Sequence, residues 1–327
     1  MYTFPKKLEK GDEIRVIAPS TSFSVISKEQ REIAKKRLED LGLKVTYAKN
    51  IEESDIFESS SIKSRVQDIH EAFKDKNVKA IITVLGGHNA NQLLDYLDYD
   101  LIKKNPKILC GYSDITVLQA AILKKTGLVT YSGPHFATFG QKKGFGYIFE
   151  YFKKTFFQTQ EFEIKDSKEW SDDQWYLDQE NRTFFKNKGT KVLRKGKAKG
   201  TTIGGSLCTL NLLQGTNYMP KIENAILLLE DDYESKALTF DRDLQSLLQL
   251  KNINIKAIVI GRFQRKSEMT KQKIETILLN KKELENIPIL YDADFGHTSP
   301  FFTFPIGGQA EIDTSKENKI KIIKHIN

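Results

Sequence analysis

The run Ala80-Ile-Ile-Thr-Val-Leu85 is apolar except for Thr83 and stops at Gly86-Gly87. A continuous apolar run of that length, closed by a turn, reads as a strand buried on both faces, the pattern of a parallel sheet. Its neighbours in the chain agree. Glu13 to Ala18 reads as a strand ending at Pro19-Ser20, Leu43 to Ala48 as another, and a fourth apolar run ends at Cys110. Helical stripes fall between them. Ser27-Lys-Glu-Gln30 has capping-box spacing, and Ile33, Ala34, Leu38 and Leu41 follow up to Gly42. Val66, Ile69, Ala72 and Phe73 form a second stripe and Leu93, Leu94 and Leu97 a third. Ile115, Leu118, Ala121 and Ile122 form a fourth, closed by Gly127. Strands alternating with helices predict a doubly wound α/β domain. Ligands in such sheets lie beyond the carboxyl ends of the strands, where Gly86-Gly87 and Ser113 fall.

After Tyr147 the character changes. Residues 148–200 are aromatic, polar and basic, and Glu169 to Arg182 holds both tryptophans, Trp170 and Trp175, with five acidic residues. That stretch is too long and polar for an ordinary connection. Thr201 to Ser206 reads as a turn, and strand signals return at 225–229, 255–260 and 287–291, with a helix marked by Leu244, Leu247 and Leu248. The division expected is an α/β domain over 1–160, a substrate-contacting loop or linker over 161–189, and a smaller β-rich domain over 190–327.

The net charge of +8 comes with lysines scattered over the chain, and the densest cluster, Lys186 to Lys199, has few interleaved aromatics. A solvated basic surface is expected rather than a nucleic-acid site. Cys110 and Cys208 each stand among apolar neighbours, so buried thiols are expected and no disulfide framework or metal set. No signal-peptide core and no membrane-length apolar run is read in the sequence, which points to a soluble cytoplasmic protein.

Three residues share one placement. Ser113 follows the run ending at Cys110, Glu230 follows the run 225–229, and His297 comes a few residues after the run 287–291. A serine, a histidine and a carboxylate beyond strand ends are what hydrolysis by an acyl-enzyme needs. Ser113 also suits a plain helix N-cap. His88 and His135 follow strand-like segments too and rival His297, whereas His70 and His325 read as surface residues. Glu230 opens the acidic cluster with Asp231, Asp232 and Glu234, which suits a solvated turn or a cation site equally. Cys110 lies inside its strand, a poor place for a nucleophile. The amide of Asp114 and that of Gly86 or Gly87 are candidates for an oxyanion hole, and Gly86-Gly87 also suits a phosphate-binding turn. The α/β-hydrolase pattern G-x-S-x-G is absent, because Ile115 stands at its last position.

Val16-Ile-Ala-Pro-Ser20, Leu85-Gly-Gly-His-Asn-Ala-Asn-Gln-Leu-Leu94, Gly111-Tyr-Ser-Asp114, Leu229-Glu-Asp231 and Phe295-Gly-His-Thr298 occur in the order seen in the LD-carboxypeptidases. The sequence resembles that family over nearly its whole length. The resemblance implies a flavodoxin-like N-terminal domain with a β-rich C-terminal domain, a homodimer, and a site between the domains. It implies Ser113 as nucleophile, Glu230 as orienting carboxylate, His297 as base, the Gly87 and Asp114 amides as oxyanion hole, and no metal or organic cofactor. One branch of the family trims murein tetrapeptides; another resembles the microcin C immunity protein, which cleaves aminoacyl-nucleotides. The segment from Glu169 to Arg182 is similar to the extended loop of the second branch, where an aromatic side chain stacks on the base, so Trp170 and Trp175 are the candidates for substrate contact. The expectation is a serine carboxypeptidase acting on aminoacyl-nucleotide antibiotics. The alternatives are a murein tetrapeptide carboxypeptidase and, from another class, a non-catalytic nucleotide-binding module.

Overall fold

The computed structural model describes residues 2–327. In chain order the first half comprises β1 (Glu13–Ile17), α1 (Lys28–Asp40), β2 (Lys44–Tyr47), α2 (Ile62–Lys74), β3 (Val78–Thr83), α3 (Tyr99–Lys104), β4 (Ile108–Gly111), α4 (Thr116–Thr126), β5 (Thr130–Ser132) and α5 (Gly146–Phe156). There follow β6 (Phe162–Ile164), the short pair β7 (Glu169–Trp170) and β8 (Phe185–Lys186), β9 (Lys191–Arg194), β10 (Lys197–Ser206), α6 (Leu207–Asn211) and β11 (Ala225–Glu230). The chain ends with α7 (Ala237–Leu248), β12 (Ile255–Gly261), α8 (Lys271–Leu279), β13 (Ile289–Ala293), β14 (Phe304–Ile306), β15 (Gln309–Asp313) and β16 (Ile320–Lys324).

Two sheets organise these elements. The first has the order β14-β5-β4-β3-β1-β2, parallel throughout except for β14. Its parallel strands run 2-1-3-4-5, the flavodoxin-like order. The second has the order β6-β16-β15-β10-β11-β12-β13-β9. Its middle, β10 to β13, is parallel, and the flanking strands are antiparallel. The fold is therefore α/β in both halves, with the second half the richer in strands.

The local signals act as expected where they are strongest. Ser27 Oγ accepts from Gln30 N (3.3 Å) at the start of α1. Gly127 closes α4 in the left-handed conformation, φ 77°, with its N–H on Leu123 O (2.9 Å). The apolar stripe of α4 understates its burial. Val117 to Leu123 are all buried, Gln119 included, because α4 touches α6 and β10 of the second half as well as its own sheet. A helix buried all round sits between layers.

Several expectations are corrected. Leu93 and Leu94 lie in a 3-10 segment, Ala90–Tyr96, and the α-helix starts only at Tyr99. Thr201–Ser206 is not a turn but the end of the ten-residue strand β10. Its two glycines are there for close approach. A Cβ on Gly204 (φ 156°) would run into Leu228 O, and one on Gly205 (φ 119°) would lie 2.6 Å from Thr116 Oγ1. The segment 161–189 is not loop throughout, since β6 joins the second sheet, and Phe304–Ile306, inside 190–327, joins the first. His325 is buried rather than on the surface, with Nε2 on Gln158 O (2.9 Å) and its ring against Phe162. Cys208 is exposed, because it falls on the outer face of the short helix α6; Cys110 is buried as expected. Among the described residues no helix is long and apolar enough to cross a membrane, and no three His, Cys, Asp or Glu side chains group as a metal site.

Candidate active site

Ser113 stands two residues beyond β4 with φ 61°, a left-handed conformation that costs a side-chain-bearing residue energy. Its hydroxyl does not cap the helix that follows. The N-cap reading therefore falls, and Oγ is free to point at another partner. That partner is His297, four residues past β13, whose Nε2 lies 3.0 Å from Ser113 Oγ. On the other side of the ring, Nδ1 lies 2.6 Å from Glu230 Oε2. Glu230 is the last residue of β11 and is 3% exposed, while Ser113 and His297 are only partly buried. The carboxylate is thus shielded and the reactive end of the chain reachable. Gly296 and Gly261 make the approach possible, since a Cβ on either would lie 2.8 Å from Glu230 Cβ.

Burial of the His297 ring opposes its protonation, but the charge and hydrogen bond of Glu230, with help from Asp232 and Asp231, outweigh burial and push its pKa up to about 9. The arrangement can take a proton from Ser113 Oγ onto Nε2 and hold the resulting imidazolium against Glu230. The Gly86-Gly87 turn lies beside the serine. A Cβ on Gly86 would sit 3.0 Å from Ser113 Oγ and 3.4 Å from Asp114 N, so the absence of a side chain keeps the space beside the serine open.

The family models of the LD-carboxypeptidase N-terminal and C-terminal domains match residues 14–133 and 199–312. The chain belongs to the LD-carboxypeptidase family. It is a serine-type carboxypeptidase, a hydrolase. It is 56% identical to YocD of Bacillus subtilis (strain 168), named as a carboxypeptidase, over 98% of this chain and 100% of that one. It is 30% identical to a second Bacillus subtilis protein, named for murein peptide carboxypeptidase activity, over 97% and 93%. The crystal structure of an MccF-like protein from Bacillus anthracis str. Ames superposes with a TM-score of 0.96 at 55% identity, covering 99% and 100% of the two chains. The structure of MccF in complex with glutamyl sulfamoyl guanosine superposes with a TM-score of 0.86 at 29% identity, covering 99% of each chain.

The rival histidines lie elsewhere in the enzyme. His88 is exposed and has no part in the chain of bonds from Ser113. His135 is buried beneath the site. Its Nδ1 lies 2.7 Å from Thr83 Oγ1, and its ring stacks on Tyr112 with centroids 4.3 Å apart. Burial, then the His297 charge, holds it down to about 3, so it stays neutral. Tyr112 in turn meets the His297 ring edge-on at 5.4 Å. No pattern in the sequence singles out Tyr112, because its place beside His297 depends on a residue 185 positions away. Cys110 donates to Pro134 O (3.4 Å), and burial pushes its thiol pKa up, away from nucleophilic use.

The tryptophan segment is a fastened flap. Ser171 and Ser299 exchange both backbone hydrogen bonds. Arg182 Nε and Thr183 N bind Asp173 at 2.6 and 2.8 Å. Gln30 Nε2 donates to Tyr176 O (3.1 Å) and Gln179 Nε2 to Gly140 O (2.9 Å), so the flap reaches the N-terminal half. The two tryptophans differ. Trp170 packs on Phe185 (5.3 Å) with the Arg262 guanidinium over its ring (5.1 Å). Trp175 is partly buried and meets only Tyr176, edge-on at 6.0 Å, among the aromatic rings.

Proposed function

We propose that the enzyme hydrolyses aminoacyl-nucleotide antibiotics of the microcin C type, with Ser113 as nucleophile, His297 as general base and acid, and Glu230 as the group that fixes and charges the histidine. The observation that carries the catalytic part is the unbroken chain Ser113 Oγ, His297 Nε2, His297 Nδ1, Glu230 Oε2, at 3.0 and 2.6 Å. Ser113 attacks the acyl carbonyl as His297 takes its proton, and the tetrahedral oxygen is held by the amides of Gly87 and Asp114. The imidazolium then protonates the departing sulfamate or phosphoramidate nitrogen, and water, activated by the same histidine, releases the amino acid. No step calls for a metal or an organic cofactor.

The substrate class is supported by the flap. Trp175 offers a π-face on which a purine can stack, whereas the Trp170 ring is already engaged by Phe185 and Arg262. MccF, at 29% identity, has a solved structure in complex with glutamyl sulfamoyl guanosine. Such a substrate would be met in the cytoplasm, and a homodimer is the assembly expected there. Trimming of murein tetrapeptides is the second reading, favoured by the 30% identity to the murein-named relative. Aminoacyl sulfamoyl adenosine and murein tetrapeptide, offered in parallel, decide between them. Cleavage of the nucleotide conjugate is expected, and cleavage of the tetrapeptide alone moves the enzyme to wall recycling. A module that only binds nucleotides would cleave neither and would keep its affinity in Ser113→Ala.

A further inference from the structure

The Gly86-Gly87 turn has no regular secondary structure of its own, yet an oxyanion amide must be fixed before the reaction begins. What fixes the turn is a buried charged network behind it. Arg65, on α2 and 3% exposed, donates through Nη1 to Asn89 O (3.1 Å), Asn89 Oδ1 (2.9 Å) and Pro19 O (3.2 Å). Its Nη2 donates to Gln92 Oε1 (2.8 Å). The guanidinium therefore clamps Asn89, two residues past the turn, to Pro19, two residues past β1. Asp114, also 3% exposed, clamps the same place from the other side, its Oδ2 accepting from Ala90 N (2.9 Å) and Ser20 Oγ (2.6 Å). Ser20 is the residue that a Cβ on Gly87 (φ 147°) would strike.

The charges matter as well as the bonds. Asp114 is the residue after the nucleophile, and a lone carboxylate there would oppose negative charge growing on the substrate oxygen. Arg65 is the buried cation on the other side of Asn89; burial lowers its guanidinium pKa, and the charges of Asp55 and then Asp114 oppose this only in part. The two ions share no direct bond; Arg65 holds Asn89, Asp114 holds Ala90 N and Ser20 Oγ, and Ser20 Oγ lies 3.2 Å from Asn89 Oδ1. We propose that Arg65 is a positioning residue for catalysis, which through Asn89 presets the Gly87 amide for the oxyanion and offsets the Asp114 charge behind it. This rests on Ser113 as nucleophile and on Gly87 and Asp114 as oxyanion donors.

The test uses a fluorophosphonate probe, which phosphonylates a serine through a tetrahedral oxygen adduct whatever the natural substrate. Labelling of Ser113 in the full-length protein, located by mass spectrometry, is compared for wild type, Arg65→Gln, Arg65→Lys and Asn89→Ala. The labelling rate is expected to fall about 100-fold in Arg65→Gln and Asn89→Ala. Its pH profile should keep the wild-type inflection, because His297 and Glu230 are untouched. Arg65→Lys should recover only part of the rate, since it restores the charge but not the fork. Labelling of folded Arg65→Gln at the wild-type rate, whatever its thermal midpoint, overturns the proposal, as does an altered inflection. If Arg65→Gln does not fold, Asn89→Ala decides on the same criteria. Wild-type protein that is not labelled at Ser113 refutes the nucleophile reading instead, a result distinct from any effect of Arg65.

Discussion

Ser171 and Ser299 are joined by a reciprocal pair of backbone hydrogen bonds, 2.6 Å from Ser171 N to Ser299 O and 2.8 Å in return. Ser171 follows Trp170 in the flap, and Ser299 is two residues past His297. One short bridge thus ties the flap to the segment that follows His297. Behind it, Asp294 accepts from Ser167 N (2.7 Å), Asn187 Nδ2 (3.1 Å) and Arg262 Nη1 (2.5 Å), so both ends of the flap are tied to the loop that carries the histidine.

The Asp294–Arg262 pair is almost wholly buried. Asp294→Ala leaves the guanidinium with Asp292 as its remaining carboxylate partner and the flap ends without their shared acceptor. Breaking a buried pair in this way is expected to cost about 3–5 kcal/mol. Denaturant unfolding measures the loss, and limited proteolysis should find new cleavage within 169–186 before the rest of the chain opens.

The two tryptophans should separate by function. Trp175→Ala is expected to weaken binding of an aminoacyl sulfamoyl nucleoside by roughly 1–3 kcal/mol, with murein tetrapeptide unaffected. Trp170→Ala should lower the melting temperature and affect both ligands alike, because its ring packs on Phe185 and under Arg262. Calorimetric titration on Ser113→Ala protein, which holds substrate without turnover, measures both. Equal losses in the Trp175 variant would make that residue structural.

For the triad, Ser113→Ala and His297→Ala should each lower turnover by several orders of magnitude, and the double variant little further, since residues acting as a unit are not additive. Glu230→Gln keeps the shape and loses the charge, with an expected loss of about 10⁴-fold. Single-turnover rates give these values. An unchanged rate in Ser113→Ala would remove the serine mechanism altogether.

The proposed role of His297 as base makes a prediction about pH. A base must be neutral, so kcat/KM should rise with pH, with an inflection above the ordinary histidine value and toward 9. Glu230→Gln removes the main causes of the upward shift and should bring the inflection down. Stability runs the other way. A histidine with a raised folded pKa contributes stability fully below its unfolded value, about 6.5, and the contribution is lost as pH rises through about 9. Melting temperatures of wild type and His297→Gln, compared between pH 6 and 10, should converge at the alkaline end.

Gly204→Ala tests why β10 reads as a turn yet runs straight. Its Cβ would press into the backbone of β11 at a φ of 156°, so a destabilisation of about 3 kcal/mol or more is expected, read from chemical denaturation. A tolerated alanine would mean that the two strands can part without cost.

The alternation of short apolar runs with helical stripes determined the doubly wound N-terminal half, because period and strand length are local properties of the chain. Gly42 and Gly127 ended helices α1 and α4 by conformations only glycine adopts cheaply, and Ser113, Glu230 and His297 were found by their common placement beyond strand ends. The residue pattern left His297, His88 and His135 open and the family resemblance favoured His297; only the tertiary structure shows which imidazole meets a serine 184 residues away. It also turned Thr201–Ser206 into a strand, because glycines needed for a neighbour's close approach look, in one dimension, like a bend. The burial of His325, the different settings of Trp170 and Trp175, and the clamp of Arg65 on Asn89 belong to the same class. Each is set by contacts between segments far apart in the chain, where sequence carries residue identity and only the packed fold supplies the distance.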